Sequence, residues 1–208
     1  MWIIKSEERM IIEKLENFEA PKSCVLLVGP PGSGKGTQAS ILESKSRYKH
    51  ISTGEILRSS KSSKIKKMMK TGELLPDSLV SRELKKYLKK NMDVPGFIFD
   101  GYPRNPKQKF YFDDILKECN LKLDHIFFLN VPEKVMKERI KERSRTSGRS
   151  DDNNPEALKR RLKEYKTQTL PMIESMRKNP NFIEIKGEGS VSDITNIIFE
   201  NIPKFNSK

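Results

Sequence analysis

The stretch "LLVGPPGSGKGTQ", residues 26–38, constrains the fold more than any other part of the chain. An apolar run predicts a strand, and a helical pattern begins near Lys35. The turn between them contains Gly29, Gly32, Gly34 and Gly36. Glycines let successive backbone N–H groups point inward, and such groups bind phosphate at a helix N-terminus. The stretch therefore predicts an α/β fold with a phosphate-binding loop, whose Lys35 reaches the β- and γ-phosphates of a nucleotide.

The loop departs from the Walker A pattern at one position. That pattern places Ser or Thr directly after the lysine, where the hydroxyl binds Mg²⁺. Here Gly36 follows Lys35, and the hydroxyl comes one residue later, at Thr37. The loop alone does not decide which kind of phosphate transfer it serves.

Short apolar runs recur between helical patterns, which predicts a mostly parallel sheet flanked by helices. The predicted strands are 24–28, 49–52, 96–99, 125–130 and 181–185. Helices are predicted at 81–90 and 157–178, and Pro171 should kink or split the second because it lacks a backbone donor. An additional helix is predicted within residues 1–20, where Ile11, Leu15 and Phe18 share a face.

Two polar segments fit this layered core poorly. The first is helical and spans about 53–80, and the second, "SRTSGRSDDNNP", spans 144–155. They are either surface loops or mobile lobes over a site. Catalytic groups of open α/β sheets gather at the carboxyl ends of the strands, so lobes over that edge are plausible.

The chain has 208 residues and a net charge of +13, which suits one domain and allows two interpretations of its charge. The charge could serve a nucleic acid, or it could combine a lysine-rich surface with an arginine-lined pocket for a polyphosphate. The lysines are spread along the whole chain, which favours the second interpretation. The apolar runs are shorter than the ~20 residues that a membrane helix needs. No secretory signal is recognised, and Cys24 and Cys119 are isolated, so the expected location is the cytoplasm.

Five motifs occur in the order and spacing of adenylate kinases. They are "GPPGSGKGTQ", "HISTGEILR", "GFIFDGYPRNPKQ", "RTSGRSDDN" and "RRLKEYKTQTLP". The resemblance covers residues 23–208, and this family has glycine after the lysine of its loop. It implies a P-loop kinase with a five-stranded parallel sheet, a mobile monophosphate-binding lobe near 53–81 and a short lid near 144–155. Residues 1–20 would be an extension of a domain at 21–208.

The resemblance also implies an activity, namely reversible Mg²⁺-dependent transfer from ATP to AMP that gives two ADP. In-line transfer needs several cations around the phosphates, and the matching catalytic positions are Lys35, Arg104, Arg143, Arg149 and Arg161. The positions that match ATP binding are Gly32, Ser33, Gly34, Lys35, Gly36, Thr37 and Arg139. Those that match AMP binding are Thr53, Arg58, Leu75, Gly101, Arg104 and Gln108, with Leu74 beside Leu75 in an apolar wall.

Asp100 ends an apolar strand and is either a turn-forming residue before Gly101 or, as in the family, a carboxylate that orders the waters of Mg²⁺. Asp151 and Asp152 are either lid acids or loop caps. The segment 144–155 contains no Cys or His, so no structural zinc is expected. The expected partners are ATP, AMP and ADP, with no specific nucleic acid and no membrane, and the expected state is a monomer.

There are three alternatives to an adenylate kinase. UMP/CMP kinases share "GRSDDN", but Thr53 and Gln108 match the adenylate form. A glutamine amide complements adenine, yet it can flip, so its chemistry alone does not exclude uracil. A basic nucleic-acid-binding ATPase is a more distant alternative. An inactive scaffold is disfavoured because every expected phosphate ligand is present.

Overall fold

The computed structural model describes residues 20–71, 75–146 and 155–202. The strands are β1 (Lys22–Val28), β2 (Lys49–Ser52), β3 (Gly96–Asp100), β4 (Leu121–Asn130) and β5 (Phe182–Lys186). The helices are α1 (Lys35–Lys45), α2 (Thr53–Arg58), α3 (Ser63–Thr71), α4 (Asp77–Lys90), α5 (Pro106–Glu118), α6 (Glu133–Thr146), α7 (Pro155–Glu164), α8 (Leu170–Met176) and α9 (Val191–Glu200), with a π-helical segment Tyr165–Thr169 between α7 and α8. Within these ranges no helix has the length and apolar character that crossing a membrane requires.

All five strands are parallel, in the order β2-β3-β1-β4-β5. From β1 the chain passes to β2 at one edge, returns to β3 beside β1, and then crosses to the other side for β4 and β5. The connections that leave β1 and β3 run in opposite directions, and open α/β sheets bind their ligands in the crevice at such a point. The predicted five-stranded parallel sheet is confirmed.

Helices cover both faces of the sheet, because every central strand is apolar on both sides. One face carries Leu26 and Val28 of β1 and packs against buried residues of α4, α5 and α8. The opposite face carries Val25 and Leu27 and packs against α1 and α9. This packing on both faces fixes the carboxyl edge of the sheet, from which the site is built.

The predicted helix at 157–178 is interrupted in the structure. Helix α7 ends at Glu164, the segment Tyr165–Thr169 is π-helical, and α8 contains Pro171 in its first turn. The backbone N–H of Leu170 donates to the carbonyl of Tyr165, five residues back, as a π-helix requires. Helical backbone nevertheless runs without a gap from Pro155 to Met176, so the helix is not split at Pro171, and the change to π-helical geometry lies just before the proline.

Other predictions fall partly or wholly outside the described residues. The N-terminal helix was predicted in a segment of which residues 1–19 lie outside. The same holds for residues 147–154 of the predicted lid and for Leu74.

Candidate active site

The loop between β1 and α1 closes around the side chain of Lys35. Gly34, which precedes the helix, has a φ of +94°, a conformation that glycine adopts without strain. The ammonium group of Lys35 donates to the carbonyls of Gly29 at 2.9 Å and Pro30 at 2.8 Å, and to Ser33 Oγ at 3.2 Å. The ammonium group of Lys35 therefore lies inside the predicted phosphate-binding loop.

The charges around Lys35 show which side chains approach the loop. The pKa of Lys35 is lowered to about 8, chiefly by burial, and Asp100 opposes this shift. Arg104, Arg161 and Arg143 contribute to the lowering, because their positive charges disfavour another cation nearby. Three arginines from separate elements thus approach one lysine.

Gly36 has no side chain at the point where the loop passes Asp100. A Cβ atom placed on Gly36 would lie 3.4 Å from Asp100 Oδ2. Asp100 pairs with Leu27 of β1 and with Ser52 of β2, so it stands between the ends of two strands. The carboxylate therefore borders the space that the Walker hydroxyl would enter, and a Cβ at this position would make an ordinary van der Waals contact with it.

Asp100 keeps its negative charge although it is largely buried. Burial raises its pKa, but His50, Lys35 and Arg104 outweigh that effect, and the net pKa is lowered. His50 Nε2 lies 3.7 Å from Asp100 Oδ2, which is too long for a direct hydrogen bond. This nitrogen is buried and makes no hydrogen bond within the described part of the chain.

Three hydrogen bonds fix Arg104, which lies between β3 and α5. Its Nε donates to the carbonyl of Gly101 at 2.6 Å, and its backbone N–H donates to Gln108 Oε1 at 2.9 Å. Its carbonyl accepts from Thr169 Oγ1 at 2.7 Å, which connects it to the π-helical segment. The backbone that carries the guanidinium group is therefore held at both its N–H and its carbonyl.

Three more residues that were predicted to bind AMP lie in α2 or just before α4. Thr53 is buried, and its hydroxyl donates to the carbonyl of Gly101 at 3.3 Å. Arg58 is exposed, and its guanidinium lies over Gly54, where a Cβ would be 3.2 Å from Arg58 Nη1. Leu75 is half-buried beside them.

One cleft of about 1120 Å³ is lined by most of the predicted site residues. They are Gly32, Ser33, Gly34, Lys35, Gly36, Thr37, Thr53, Arg58, Leu75, Asp100, Gly101, Arg104, Gln108, Arg143 and Arg161. The volume exceeds the ~300–1,000 Å³ that is usual for one small ligand, which suits two nucleotides. Arg139 lies one helical turn before Arg143 but does not line this cleft. Arg149, Asp151 and Asp152 lie outside the described residues.

Several polar residues of the cleft were not predicted from the sequence, among them His50, Asp77 and Thr169. His50 was visible only as a polar residue in a buried strand. Asp77 was visible as an acid directly after Pro76, at the start of a helix. No local signal pointed to Thr169, because its bond to Arg104 joins residues 65 positions apart.

The sequence profile of one family, described as "Adenylate kinase", matches residues 27–181 of the chain. The chain belongs to the adenylate kinase family. The match begins inside β1 and includes every element of the cleft described above.

Several adenylate kinases from bacteria are similar to this chain over most of its length. One from Leptospira biflexa serovar Patoc is 39% identical over 184 residues, which are 86% of this chain and 98% of the relative. One from Prochlorococcus marinus (strain MIT 9515) is 41% identical over 184 residues, 85% of this chain and 97% of the relative. One from Thermosynechococcus vestitus is 35% identical over 192 residues, 88% of this chain and 98% of the relative.

Adenylate kinases generally use ATP with Mg²⁺, and the side chains of this cleft suit such an ion. No group of three or more His, Cys, Asp or Glu side chains that could hold a metal occurs in the described ranges. Asp100 supplies one carboxylate beside the loop. Mg²⁺ commonly binds through one or two carboxylates, with substrate phosphates and water as its other ligands, so these residues fit the ion.

Proposed function

We propose that the chain catalyses reversible transfer of the terminal phosphoryl group of ATP to AMP, which gives two ADP. As a member of the adenylate kinase family, the chain is a phosphotransferase. The observation that carries the proposal is the position of Lys35, Arg104, Arg143 and Arg161 around one cleft large enough for two nucleotides.

The cleft has a donor side and an acceptor side. On the donor side, the loop N–H groups and Lys35 would bind the phosphates of ATP. On the acceptor side, Arg58 and Arg104 would bind the monophosphate, and Gln108 would contact the base. Arg143 and Arg161 approach Lys35 from α6 and α7 and would neutralise charge on the group in transfer. Arg149 and Arg139 remain predicted ligands from the family resemblance.

The side chains act by position and charge and form no covalent intermediate. Phosphoryl transfer spreads negative charge over the equatorial oxygens, and fixed cations stabilise it. Mg²⁺, which Asp100 would help to hold, would neutralise part of that charge when bound. Asp100 would orient water molecules of the ion, since its lowered pKa keeps the carboxylate ionised. Residues 53–81 and 144–155 would close over the cleft and exclude water, which would otherwise compete as the acceptor.

The acceptor is tested directly by coupled assays with AMP, UMP, CMP and GMP at equal concentrations. We expect AMP to give the highest kcat/KM. Preference for UMP and CMP would identify the chain as a UMP/CMP kinase. ATP hydrolysis that RNA stimulates, without transfer to any monophosphate, would instead support a nucleic-acid-binding ATPase.

The role of Arg104 is tested by Arg104→Ala. We expect kcat/KM for AMP to fall by at least ~100-fold, because the variant removes a cation from the phosphate site. The fold should persist, since the Arg104 side chain is exposed. Arg82→Ala is the control, because Arg82 lies on α4 with 62% of its side chain exposed. Wild-type AMP turnover in Arg104→Ala would show that this assignment is wrong.

The cytoplasm and a monomeric state are proposed as the setting of this activity. Both cysteines of the chain are buried and unpaired, which supports a reducing compartment. Size-exclusion chromatography with light scattering measures the oligomeric state.

A further inference from the structure

Gln108 is predicted to contact the base of the acceptor nucleotide, and the protein holds both ends of its amide. Its Nε2 donates to Asp77 Oδ1 at 2.7 Å, and its Oε1 accepts from the backbone N–H of Arg104 at 2.9 Å. The side chain is 7% exposed and lines the cleft. These bonds use one of its two amide protons and one of its two oxygen lone pairs.

The two partners fix which way the amide points. A carboxylate oxygen accepts hydrogen bonds, and a backbone N–H only donates them. A flipped amide would place Oε1 against Asp77 Oδ1 and Nε2 against the Arg104 N–H, so both contacts would become repulsive. Asp77 and Arg104 together therefore allow one orientation.

Asp77 is itself held in place by Asn105. Asn105 Oδ1 caps α5 by accepting from the Gln108 backbone N–H at 2.7 Å, so its Nδ2 must point the other way. That Nδ2 donates to Asp77 Oδ1 at 3.1 Å. The carboxylate oxygen thus accepts from two amide groups whose orientations are both determined.

A fixed amide distinguishes bases that a freely flipping amide would not. The remaining lone pair of Oε1 needs a donor, and the remaining proton of Nε2 needs an acceptor. Adenine and cytosine offer an amino group next to an unprotonated ring nitrogen. Hypoxanthine, guanine and uracil offer a carbonyl next to a ring N–H, which is the reverse order. The ribose fixes which end of the base edge meets which end of the amide.

We propose that Asp77 is a positioning residue that sets acceptor specificity by locking the Gln108 amide, so that the cleft selects bases with an amino group over the same bases with a carbonyl. This inference rests on the proposed function, because it takes Gln108 as a contact of the acceptor base. It assigns to Asp77 a role that acts through Gln108 and not through direct contact with substrate.

The test compares AMP with IMP, whose bases differ in the amino and carbonyl groups and in the ring N–H. Wild-type protein should bind AMP at least ~100-fold more tightly than IMP in calorimetric titrations, because a site built for one hydrogen-bond pattern strongly rejects the reverse. Asp77→Ala removes the carboxylate that opposes a flip of the Gln108 amide, so only the Arg104 N–H still favours the wild-type orientation. The AMP-to-IMP ratio of affinities should then fall about tenfold or more.

Asp113→Ala is the matched control, because Asp113 lies on α5 with Gln108 and its exposed side chain pairs with Lys109. It should keep the wild-type ratio. A purely structural role for Asp77 would weaken AMP and IMP binding in parallel and leave the ratio unchanged, which would overturn the proposal. A wild-type ratio near one, or an equal fall in Asp113→Ala, would also overturn it.

Binding and turnover separate this proposal from the proposed function. If AMP binds in preference to IMP but no ADP forms, the proposed function fails, and the proposed orientation of the Gln108 amide by Asp77 stands. If ADP forms from AMP and Asp77→Ala keeps the wild-type ratio, the positioning role of Asp77 fails and the proposed function stands. If Asp77→Ala does not fold, Asp77→Ser gives the same comparison, since it also removes the carboxylate.

Discussion

Lys35 shows how a single side chain couples the loop to pH. Its ammonium group has three oxygen partners within the loop, yet burial and three nearby arginines lower its pKa to about 8. The group is therefore close to losing its proton under mildly alkaline conditions. A bound triphosphate would favour the charged form and raise this pKa again.

The free protein should accordingly bind ATP less tightly as the pH rises through about 8. Below that pH Lys35 is protonated, and above it the lysine must regain a proton before it can pair with phosphate. The dissociation constant should rise about tenfold between about pH 7 and pH 9. Calorimetry in buffers of different ionisation enthalpy should show proton uptake in the upper part of this range. Lys35→Arg stays charged throughout, so its affinity should remain nearly constant, and a wild-type affinity that is equally constant would contradict the prediction.

Some residues of the site could be predicted from the sequence, and others could not. Lys35 and the loop glycines lie in one contiguous motif, so their pattern carried the prediction. Asp77 could not be found in this way, because its importance depends on Gln108, 31 positions away, and on the orientation of two amides. The sequence also did not show that Gly36 lies beside Asp100, because β3 brings together residues that are far apart in the chain.

Among the elements, α1 and α9 are joined by a buried polar contact. Thr195 Oγ1 lies 2.8 Å from Gln38 Oε1 and 2.7 Å from the carbonyl of Val191, and Gln38 Nε2 donates to that same carbonyl at 3.0 Å. Gln38 is 2% exposed and Thr195 is 4% exposed. This contact holds the helix that carries the phosphate loop against the C-terminal helix.

Thr195→Val should therefore destabilise the fold. The variant leaves Gln38 Oε1 buried without its donor, which should lower the free energy of unfolding by ~1–3 kcal/mol. Thr195→Ser keeps the hydroxyl and should lose less. Urea unfolding measures both, and equal losses in the two variants would show that the hydrogen bond is not the cause.

The five strands and the helix at 81–90 could be predicted because their apolar pattern is strong, whereas α5, α6 and α9 were not predicted. The largest error among the strand boundaries is in β4, which begins at Leu121 and not at 125. Its first half alternates apolar and charged residues at the sheet margin, where Leu121 and Leu123 pair with β1. The π-helical segment was not predicted either, since a proline indicates a break but not the geometry that replaces the helix.

On the scale of the whole molecule, charge should set the rate of nucleotide capture. The chain carries a net charge of +13, and the Lys and Arg residues that line its cleft come from six elements or loops. A positive cleft attracts polyphosphates over distances limited by the Debye length. The association rate constant of ATP should fall several-fold when ionic strength rises from about 0.05 M to about 0.3 M.

Stopped-flow measurements with a fluorescent ATP analogue test this expectation. The matching adenosine analogue, which lacks phosphate, should associate at a rate that hardly depends on salt. Equal salt dependence for both ligands would indicate that the protein surface as a whole, and not attraction of phosphate to the cleft, governs association.

The hydroxyl of Thr169 connects the backbone of Arg104 to the same continuous helical path that carries Arg161. In the proposed reaction, one of these arginines serves the acceptor and the other the group in transfer. A nucleotide that repositions either arginine would therefore strain or relax the other. Any resulting gain in affinity must be mutual, because thermodynamic linkage requires each nucleotide to strengthen the binding of the second by the same factor. Order of arrival would then change the path to the ternary complex but not its stability.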